Sequence, residues 1–291
     1  MTVSQYLETT HMAASQRQQW LDKFGLYLSF AVIALFAFFP IYWMLITSLT
    51  PADQVFQFPP RLFPSDLTLD HYKAFFDSSS LLRYFRNSLL VSTATAVGSI
   101  AVSAYAAYSF SKFRYAGRRA LMFLILSAQM FPQALMLIAL YLMFDDLGLL
   151  NSYWSMILAF TTFTLPLCIW MLKSYFDTIP DDLIEAAKVD GANQFQIIHR
   201  ILLPVAVPAL VSTSLFAFIR GWNDYIYALT LAGPQKMTLP PGLVLTYIGE
   251  FQTSWPNLMA SSFIVSLPIV LAFLFMQRYI AGGLMAGAVK G

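Results

Sequence analysis

The chain has 291 residues, of which 58% are apolar and only 11% are charged, and its mean hydropathy is +0.63. Soluble domains carry about 25% charged residues, so this composition excludes an ordinary soluble domain and indicates a membrane protein. The net charge of +2 is too small to indicate a nucleic-acid partner. The single cysteine, Cys168, excludes a disulfide within the chain, and the three histidines have no ligand-spaced partner, so no metal site is expected.

Six apolar stretches predict an all-α polytopic membrane protein with one transmembrane domain over residues 1–291, because about 20 helical residues cross the hydrocarbon core. The first stretch is too long for a signal-peptide core, so we expect it to remain as a span. The spans are predicted near residues 24–50, 87–110, 120–143, 148–172, 203–225 and 255–278.

The loops between these spans indicate the orientation of the chain. Residues 51–86 are polar and proline-rich, which predicts an external loop. The second span is rich in small residues, which favour close helix packing, so it is expected inside the bundle. The loop from Lys112 to Arg119 carries four basic and no acidic residues, which predicts a cytoplasmic position. Alternation then places residues 173–202 and both termini in the cytoplasm, with eleven of the 17 basic residues inside.

The loop over residues 173–202 contains a predicted helix-turn-helix. Pro180 and the two aspartates after it favour a helix start. Gly191 is suited to the left-handed conformation that ends a helix. The spacing predicts one face of small side chains, through which another protein would pack closely, and a second helix from Asn193. The first face would hold Leu183, Ala186, Ala187 and Asp190, and one side of the second helix would hold Phe195, Ile198 and Leu202.

A run of fixed positions in this loop resembles the cytoplasmic coupling loop of the permease subunits of bacterial ABC importers. The matching positions are Glu185, Ala186, Ala187, Gly191, Ile201, Leu203 and Pro204. The whole chain is similar to the carbohydrate, MalG-like branch of that family. The resemblance implies the type I permease fold, with six transmembrane helices and a cytoplasmic coupling helix.

The same resemblance implies a function and a set of partners. The chain would be a non-catalytic permease of the bacterial inner membrane, moving a sugar or sugar-like solute inward by alternating access. It would form a heterodimer with a second permease and bind two ATP-binding subunits and an extracytoplasmic solute-binding protein. ATP and Mg would be held by the ATPase, since the chain has no Gly-x-x-x-x-Gly-Lys-Ser/Thr loop. Coupling is assigned to the seven motif positions together with Asp190.

The C-terminal tail, residues 279–291, has two interpretations. Similarity to the tails of MalG-like permeases implies that Gly287, Lys290 and Gly291 contact the ATPase. The alternative is a frayed end, since its glycines do not favour a stable span and termini are commonly disordered.

Arg220 and Asp224 are the charges nearest a span interior, and their i, i+4 spacing allows two interpretations. They form a self-neutralised pair at the outer interface, or they line the translocation path together with Asn223. In the external loop that follows, Tyr247, Phe251 and Trp255 are candidates either for contact with the binding protein or for anchoring at the membrane surface.

Two other classes of protein stay open. A secondary, ion-coupled carrier requires internal repeats and midplane ion ligands, and a membrane enzyme requires a convergent polar cluster. Neither signal is found in the sequence. Disaccharides, monosaccharides, polyols and glycerol-phosphate-like solutes are all compatible with the composition of the spans.

Overall fold

The computed structural model describes residues 3–64, 66–249 and 253–288, with side chains from Lys23 to Tyr279 within those ranges. This part of the chain is helical, and its one β contact is an isolated antiparallel bridge between Ile248 and Thr253. In chain order the helices are α1 (Val3–Leu49), α2 (Asp70–Asp77), α3 (Ser79–Lys112), α4 (Arg118–Ser127), α5 (Gln133–Asp146), α6 (Tyr153–Phe176), α7 (Asp181–Val189), α8 (Gln194–Ile197), α9 (Leu203–Val205), α10 (Val207–Trp222), α11 (Ile226–Leu231), α12 (Leu239–Tyr247) and α13 (Trp255–Ala288).

Four of these helices are long and apolar enough to cross a membrane without interruption: residues Lys23–Leu49 of α1, all of α3, all of α6, and residues Trp255–Tyr279 of α13. Two further apolar stretches are bent, by 97° between Arg118–Met130 and α5 and by 83° between Gln194–Val205 and α10. The described chain reaches six spans when each bent pair is counted as one.

The bends correct the expectation that the third and fifth spans are continuous helices. Phe131 is extended, with ψ 130°, because the proline that follows it disfavours the helical conformation. Pro132 then precedes α5. At the second bend Ala206 leaves the helical region, with ψ 10°, and Pro208 in the first turn of α10 has no backbone N–H to donate.

Three other boundaries also differ from the predicted ones. The loop after α1 contains the short helix α2, and α3 begins at Ser79, where the Ser78 hydroxyl caps the helix by accepting a bond from Leu81 N at 3.4 Å. The segment between α10 and α13 contains α12. The predicted tail is helical as far as Ala288.

The core of the bundle forms around α3, which packs along α6 and α10. Its small polar side chains, such as Ser92 and Ser99, are fully buried, so the expectation that the second span is interior is confirmed. A Cβ on Gly221 of α10 would lie 3.2 Å from Ser92 Cα, which shows how closely the two helices approach. By contrast, the described part of α1 packs mainly on α13, with a smaller contact to α2, and Phe36 in its middle is 84% exposed.

Candidate functional site

The segment from Asp181 to Pro204, here called the coupling segment, begins with α7. Aspartates in the first turn and Lys188 in the last complement the helix dipole. The helix ends at Val189, and the chain turns at Gly191, whose φ is +81°. Gly191 N donates to Lys188 O at 3.0 Å and Ala192 N donates to Ala187 O at 2.9 Å, which is the pattern of a Schellman cap. The predicted left-handed turn at Gly191 is therefore confirmed.

The second helix of the coupling segment starts as predicted but changes its winding. Asn193 and Gln196 form a reciprocal capping box, both bonds being 2.9 Å long, at the start of α8. After Ile197 the chain follows a π-helix, Ile198–Leu202. The prediction that Phe195 shares the packed side with Ile198 and Leu202 is wrong, because Ile197 takes the buried position next to Ile198 and Phe195 is 61% exposed.

The inward face of the coupling segment joins the core of the bundle. Ile184 and Ala187, one turn apart on α7, are 4% and 6% exposed. The predicted small face of α7 is therefore split, since Leu183, Ala186 and Asp190 point away from the bundle. The buried cluster that receives the segment comprises Ala104, Ala107, Tyr108, Leu172, Phe176, Ile179, Ile184, Ala187, Ile197, Ile198, Leu202 and Ala206.

The outward face carries most of the remaining motif positions and two apolar side chains, Val189, which the sequence analysis did not name, and Phe195, which it placed on the packed side. Glu185, Ala186, Asp190, Gly191 and Pro204 are exposed, whereas Ile201 and Leu203 are half-buried against the core. Val189 is 87% exposed and Phe195 is 61% exposed, so both leave apolar surface on the outward face. The sequence feature that could have identified Val189 is its position as the last residue of α7, just before the turn. No later turn of that helix follows to cover its apolar side chain.

The end of α3 fastens the coupling segment at both of its helices. Lys112 Nζ donates to Asp181 Oδ1 at 2.7 Å and to Ile179 O at 2.6 Å, and its side chain is only 7% exposed. The hydrogen bond and the positive charge of Lys112 lower the pKa of Asp181. One turn earlier, the Tyr108 hydroxyl donates to Gln194 Oε1 at the start of α8. Sequence analysis missed this fastening because the partners lie far apart along the chain.

In the described structure no salt bridge joins Arg220 and Asp224, which argues against the self-neutralised pair, one of the two interpretations of their spacing. Arg220 Nη2 donates to Gln133 Oε1 at 2.8 Å, whereas Asp224 Oδ1 accepts from Ala228 N at 3.1 Å. The reason is that α10 ends at Trp222, so Asp224 is no longer one turn from Arg220 on the same helix. Asn223 is exposed beside them. The contact with Gln133 joins the last turn of α10 to the bend between α4 and α5.

The two other predicted sites are only partly described. Ser254 N donates to Tyr247 O at 3.0 Å, which brings the end of α12, at Tyr247, close to the start of α13, at Trp255. Tyr247 is half-buried and Trp255 is 41% exposed at the start of α13. Phe251, Lys290 and Gly291 lie outside the described residues, and Gly287 falls within α13.

The known proteins to which this chain is similar are permease components of transport systems. Residues 99–285 match the family of the binding-protein-dependent transport system inner membrane component. The chain is 36% identical, over 96% of its length and 100% of that protein, to the inner membrane ABC transporter permease protein YcjP of Escherichia coli (strain K12). It is 33% identical, over 94% of its length and 99% of that protein, to the trehalose/maltose transport system permease protein MalG of Thermococcus litoralis.

The fold is also similar to that of a solved membrane protein. A crystal structure of a bacterial ABC transporter involved in the import of the acidic polysaccharide alginate matches with a TM-score of 0.78, at 24% identity, over 91% of this chain and 98% of that one. These similarities support the importer over the secondary carrier. The chain therefore belongs to the family of binding-protein-dependent transport system inner membrane components, and it is a multi-pass permease subunit of an ABC importer.

Proposed function

We propose that this permease carries a sugar or sugar-like solute inward by alternating access, driven by a separate ATPase that docks on the coupling segment. The observation that carries the proposal is the two-sided packing of that segment. One side is buried in the core through Ile184 and Ala187, while the other presents exposed side chains around Gly191. The trehalose/maltose transport named for one relative supports a sugar as the solute class.

The docking surface combines small, apolar and acidic groups. Ala186 and Gly191 allow the backbone of a partner to come close, and Val189 and Phe195 supply apolar area that is otherwise left in water. Glu185 offers a carboxylate for a polar contact at the rim. Ala187 acts from the inner side, because its small side chain lets α7 lie against the core.

A push on the coupling segment would reach the bundle through α3 and α6. The buried cluster joins α7 to both helices, and Lys112 and Tyr108 fasten the segment from α3. Since α3 also packs along α10, the coupling segment and the centre of the bundle would move together. The half-buried Ile201 and Leu203 and the exposed Pro204 would connect this movement to the bend before α10.

The complete importer would contain four kinds of component. This chain would pair with a second, related permease, and two ATP-binding subunits would hold ATP and Mg. The family description supports an extracytoplasmic solute-binding protein, for which Tyr247, Phe251 and Trp255 are the candidate contacts. We propose a second ATPase contact at Gly287, Lys290 and Gly291, with both termini in the cytoplasm.

The translocation path would pass the contact between Arg220 and Gln133. The last turn of α10 meets the start of α5 there, next to the bend at Pro132, and a bend of this kind exposes polar groups inside a membrane only where protein or water surrounds them. Asn223 and Asp224 would add an amide and a carboxylate at the same end of α10. Such groups suit the hydroxyls of a sugar.

Cysteine crosslinking tests the docking surface. We expect Val189→Cys, in a Cys168→Ser background, to crosslink to a co-purified ATP-binding subunit, and Phe58→Cys not to do so. Phe58 is a matched control because it is 95% exposed but lies in the loop after α1. An intact complex in which Val189→Cys reaches no ATP-binding subunit would contradict the proposed docking site.

The same two variants test the orientation of the chain, and an uptake assay tests the energy source. In sealed cells a membrane-impermeant thiol reagent should label Phe58→Cys from outside, whereas Val189→Cys should react only after the membrane is opened. Solute uptake into vesicles should require ATP on the Val189 side and should persist when ion gradients are collapsed. Uptake that follows an ion gradient instead would favour the carrier.

A further inference from the structure

A cleft opens between the end of α3, the start of α4 and the end of α6. It has a volume of about 360 Å³. Its rim is basic, with Arg118, Arg119 and Lys173, and its floor is apolar. The residues of the floor are Phe110, Met122, Leu126 and Trp170. The two arginines also line a neighbouring concavity of about 590 Å³ formed by residues 114–120.

The positive charge of the rim is only partly neutralised by the protein. Lys173 pairs with Asp177 at 2.5 Å. Arg118 Nη1 donates to the carbonyl oxygen of Phe113 at 2.8 Å, which leaves its charge without a counter-ion. Among the residues that the structure describes, no carboxylate lies within ion-pair distance of Arg118 or Arg119, and the first turn of α4 contains no acid.

The direction of the cleft follows from α4. Arg118 begins this helix, and Met122 and Leu126 follow one and two turns later, so they lie about 6 and 12 Å further along the axis at about 1.5 Å per residue. The helix is an arm of a bent span, so that direction leads from the membrane surface towards the hydrocarbon. Trp170, 47% exposed, suits the depth of the lipid headgroups.

We propose that this cleft is a binding site for an anionic phospholipid. The lipid phosphate would lie between Arg118 and Arg119, and one acyl chain would follow Met122 and Leu126 along the floor. A soluble anion would use only the rim, whereas a phospholipid matches both the charge of the rim and the apolar floor beneath it. Basic pockets between helix ends are known to hold lipid headgroups of this charge.

The site is separate from the proposed docking surface, so the two proposals can fail independently. The affinity of the cleft for the lipid should depend on the number of arginines at its rim. Each basic residue near a membrane surface contributes enough to change the affinity about fivefold, so Arg118→Gln with Arg119→Gln should weaken binding about twenty-five-fold. Arg118→Lys with Arg119→Lys keeps both charges and should retain most of the preference.

The test is a lipid titration of the purified importer complex in a neutral detergent, followed by native mass spectrometry. We expect dioleoylphosphatidylglycerol to bind more tightly than dioleoylphosphatidylcholine, and the double glutamine variant to lose that difference. Arg278→Gln is the control, because it removes one positive charge at the end of the span in α13, outside the cleft. A folded double glutamine variant that still prefers phosphatidylglycerol would overturn the proposal.

Two further arms separate a lipid from a free anion. Inorganic phosphate at millimolar concentration should not displace phosphatidylglycerol, and a dihexanoyl analogue with short chains should bind more weakly than the dioleoyl lipid. Displacement by phosphate, or equal affinity for the short and long lipids, would show that the apolar floor does not take part and would overturn the assignment to a phospholipid.

Discussion

Lys112 is the last residue of α3 and Asp181 is the first residue of α7, and a 2.7 Å bond between Nζ and Oδ1 joins them across 69 positions of the chain. The lysine side chain is almost completely buried, so its charge depends on Asp181 and on the carbonyl oxygen of Ile179. The helix that we assign to ATPase docking is thereby fastened to the helix around which the bundle packs.

We expect Lys112→Met to lower the thermal unfolding temperature of the purified permease and to reduce solute uptake per ATP hydrolysed. The loss of stability should be about 1 kcal/mol, because Asp181 is exposed and regains water when the bond is lost. Lys112→Arg, which keeps the charge, should retain most of both properties. An unchanged unfolding temperature in Lys112→Met would show that the bond does not hold α7 in place.

The bond also predicts a pH dependence. The pKa of Asp181 is lowered by Lys112, so the contribution of the carboxylate to stability is complete above the ordinary aspartate pKa of about 3.9 and is lost as the pH falls through the lower folded-state value. We therefore expect the difference in unfolding temperature between the wild type and Asp181→Asn to be constant from about pH 7 to 5, to shrink below about pH 4, and to disappear once the pH is below the lowered pKa of Asp181. Asp182→Asn is the matched control, because it removes a carboxylate from the same turn while the bond between Lys112 and Asp181 stays in place.

Substitutions at Gly191 should separate backbone strain from charge. The φ of +81° disfavours side chains that carry a Cβ, although a Cβ would meet nothing within 4 Å. Asparagine tolerates this conformation better than alanine, for which the cost is about 1 kcal/mol. Gly191→Asn should thus retain coupled uptake, whereas Gly191→Asp, of the same shape, should hydrolyse ATP without transport because it adds a charge to the docking surface. Equal transport by the two variants, at equal abundance, would argue against close packing at this turn.

The contact between Arg220 and Gln133 is suited to a double-mutant cycle. If both side chains act through their 2.8 Å bond, Arg220→Ala and Gln133→Ala should each reduce uptake, and the double variant should be little worse than either. Uptake of a neutral sugar and of an anionic analogue should be measured in parallel. A fully additive double variant, or an unchanged ratio of the two solutes in Arg220→Ala, would remove Arg220 from the proposed path.

Gly242 gives a test of the packing on the other side of the bundle. A Cβ at this position of α12 would lie 2.3 Å from Tyr84 Cδ2, closer than the ring can tolerate without moving. We expect Gly242→Ala to lower the unfolding temperature, with a cost of about 1–3 kcal/mol for an overpacked site. Tyr84→Leu added to Gly242→Ala should restore part of the loss, and no restoration would place the strain elsewhere.

The features predicted correctly from the sequence are those that depend on neighbouring residues. Gly191 follows α7 because few other residues accept its backbone angles, and the predicted helix start at Asn193 depends on a cap formed with Gln196, three residues away. The family motif identified the coupling segment because its positions also lie close together in the sequence. Contacts between distant residues were not accessible, since nothing near Lys112 in the sequence points to Asp181.

The faces and bends were predicted less well for a different reason. Helical spacing alone grouped Leu183 with Ala186, but the buried face is set by where α3 and α6 lie, and those positions favour Ile184. Mean hydropathy is an average over a window of residues and contains no information on the direction of the helix axis. It therefore predicted one straight span across Pro132, where the helix axis bends. The contact between Gln133 and Arg220 became visible only once both bends were located.

The isolation of α1 has a consequence for how the chain enters the membrane. Its span is made before the other described spans, and it packs chiefly on α13, which is made after them. It can therefore settle among lipids at once, while α3 has to wait for α6 before its hydroxyl-lined surface is covered. Between the synthesis of the second span and that of the fourth, the polar stripe of α3 faces hydrocarbon or the insertion machinery. Chaperones of membrane insertion should bind α3 during this interval.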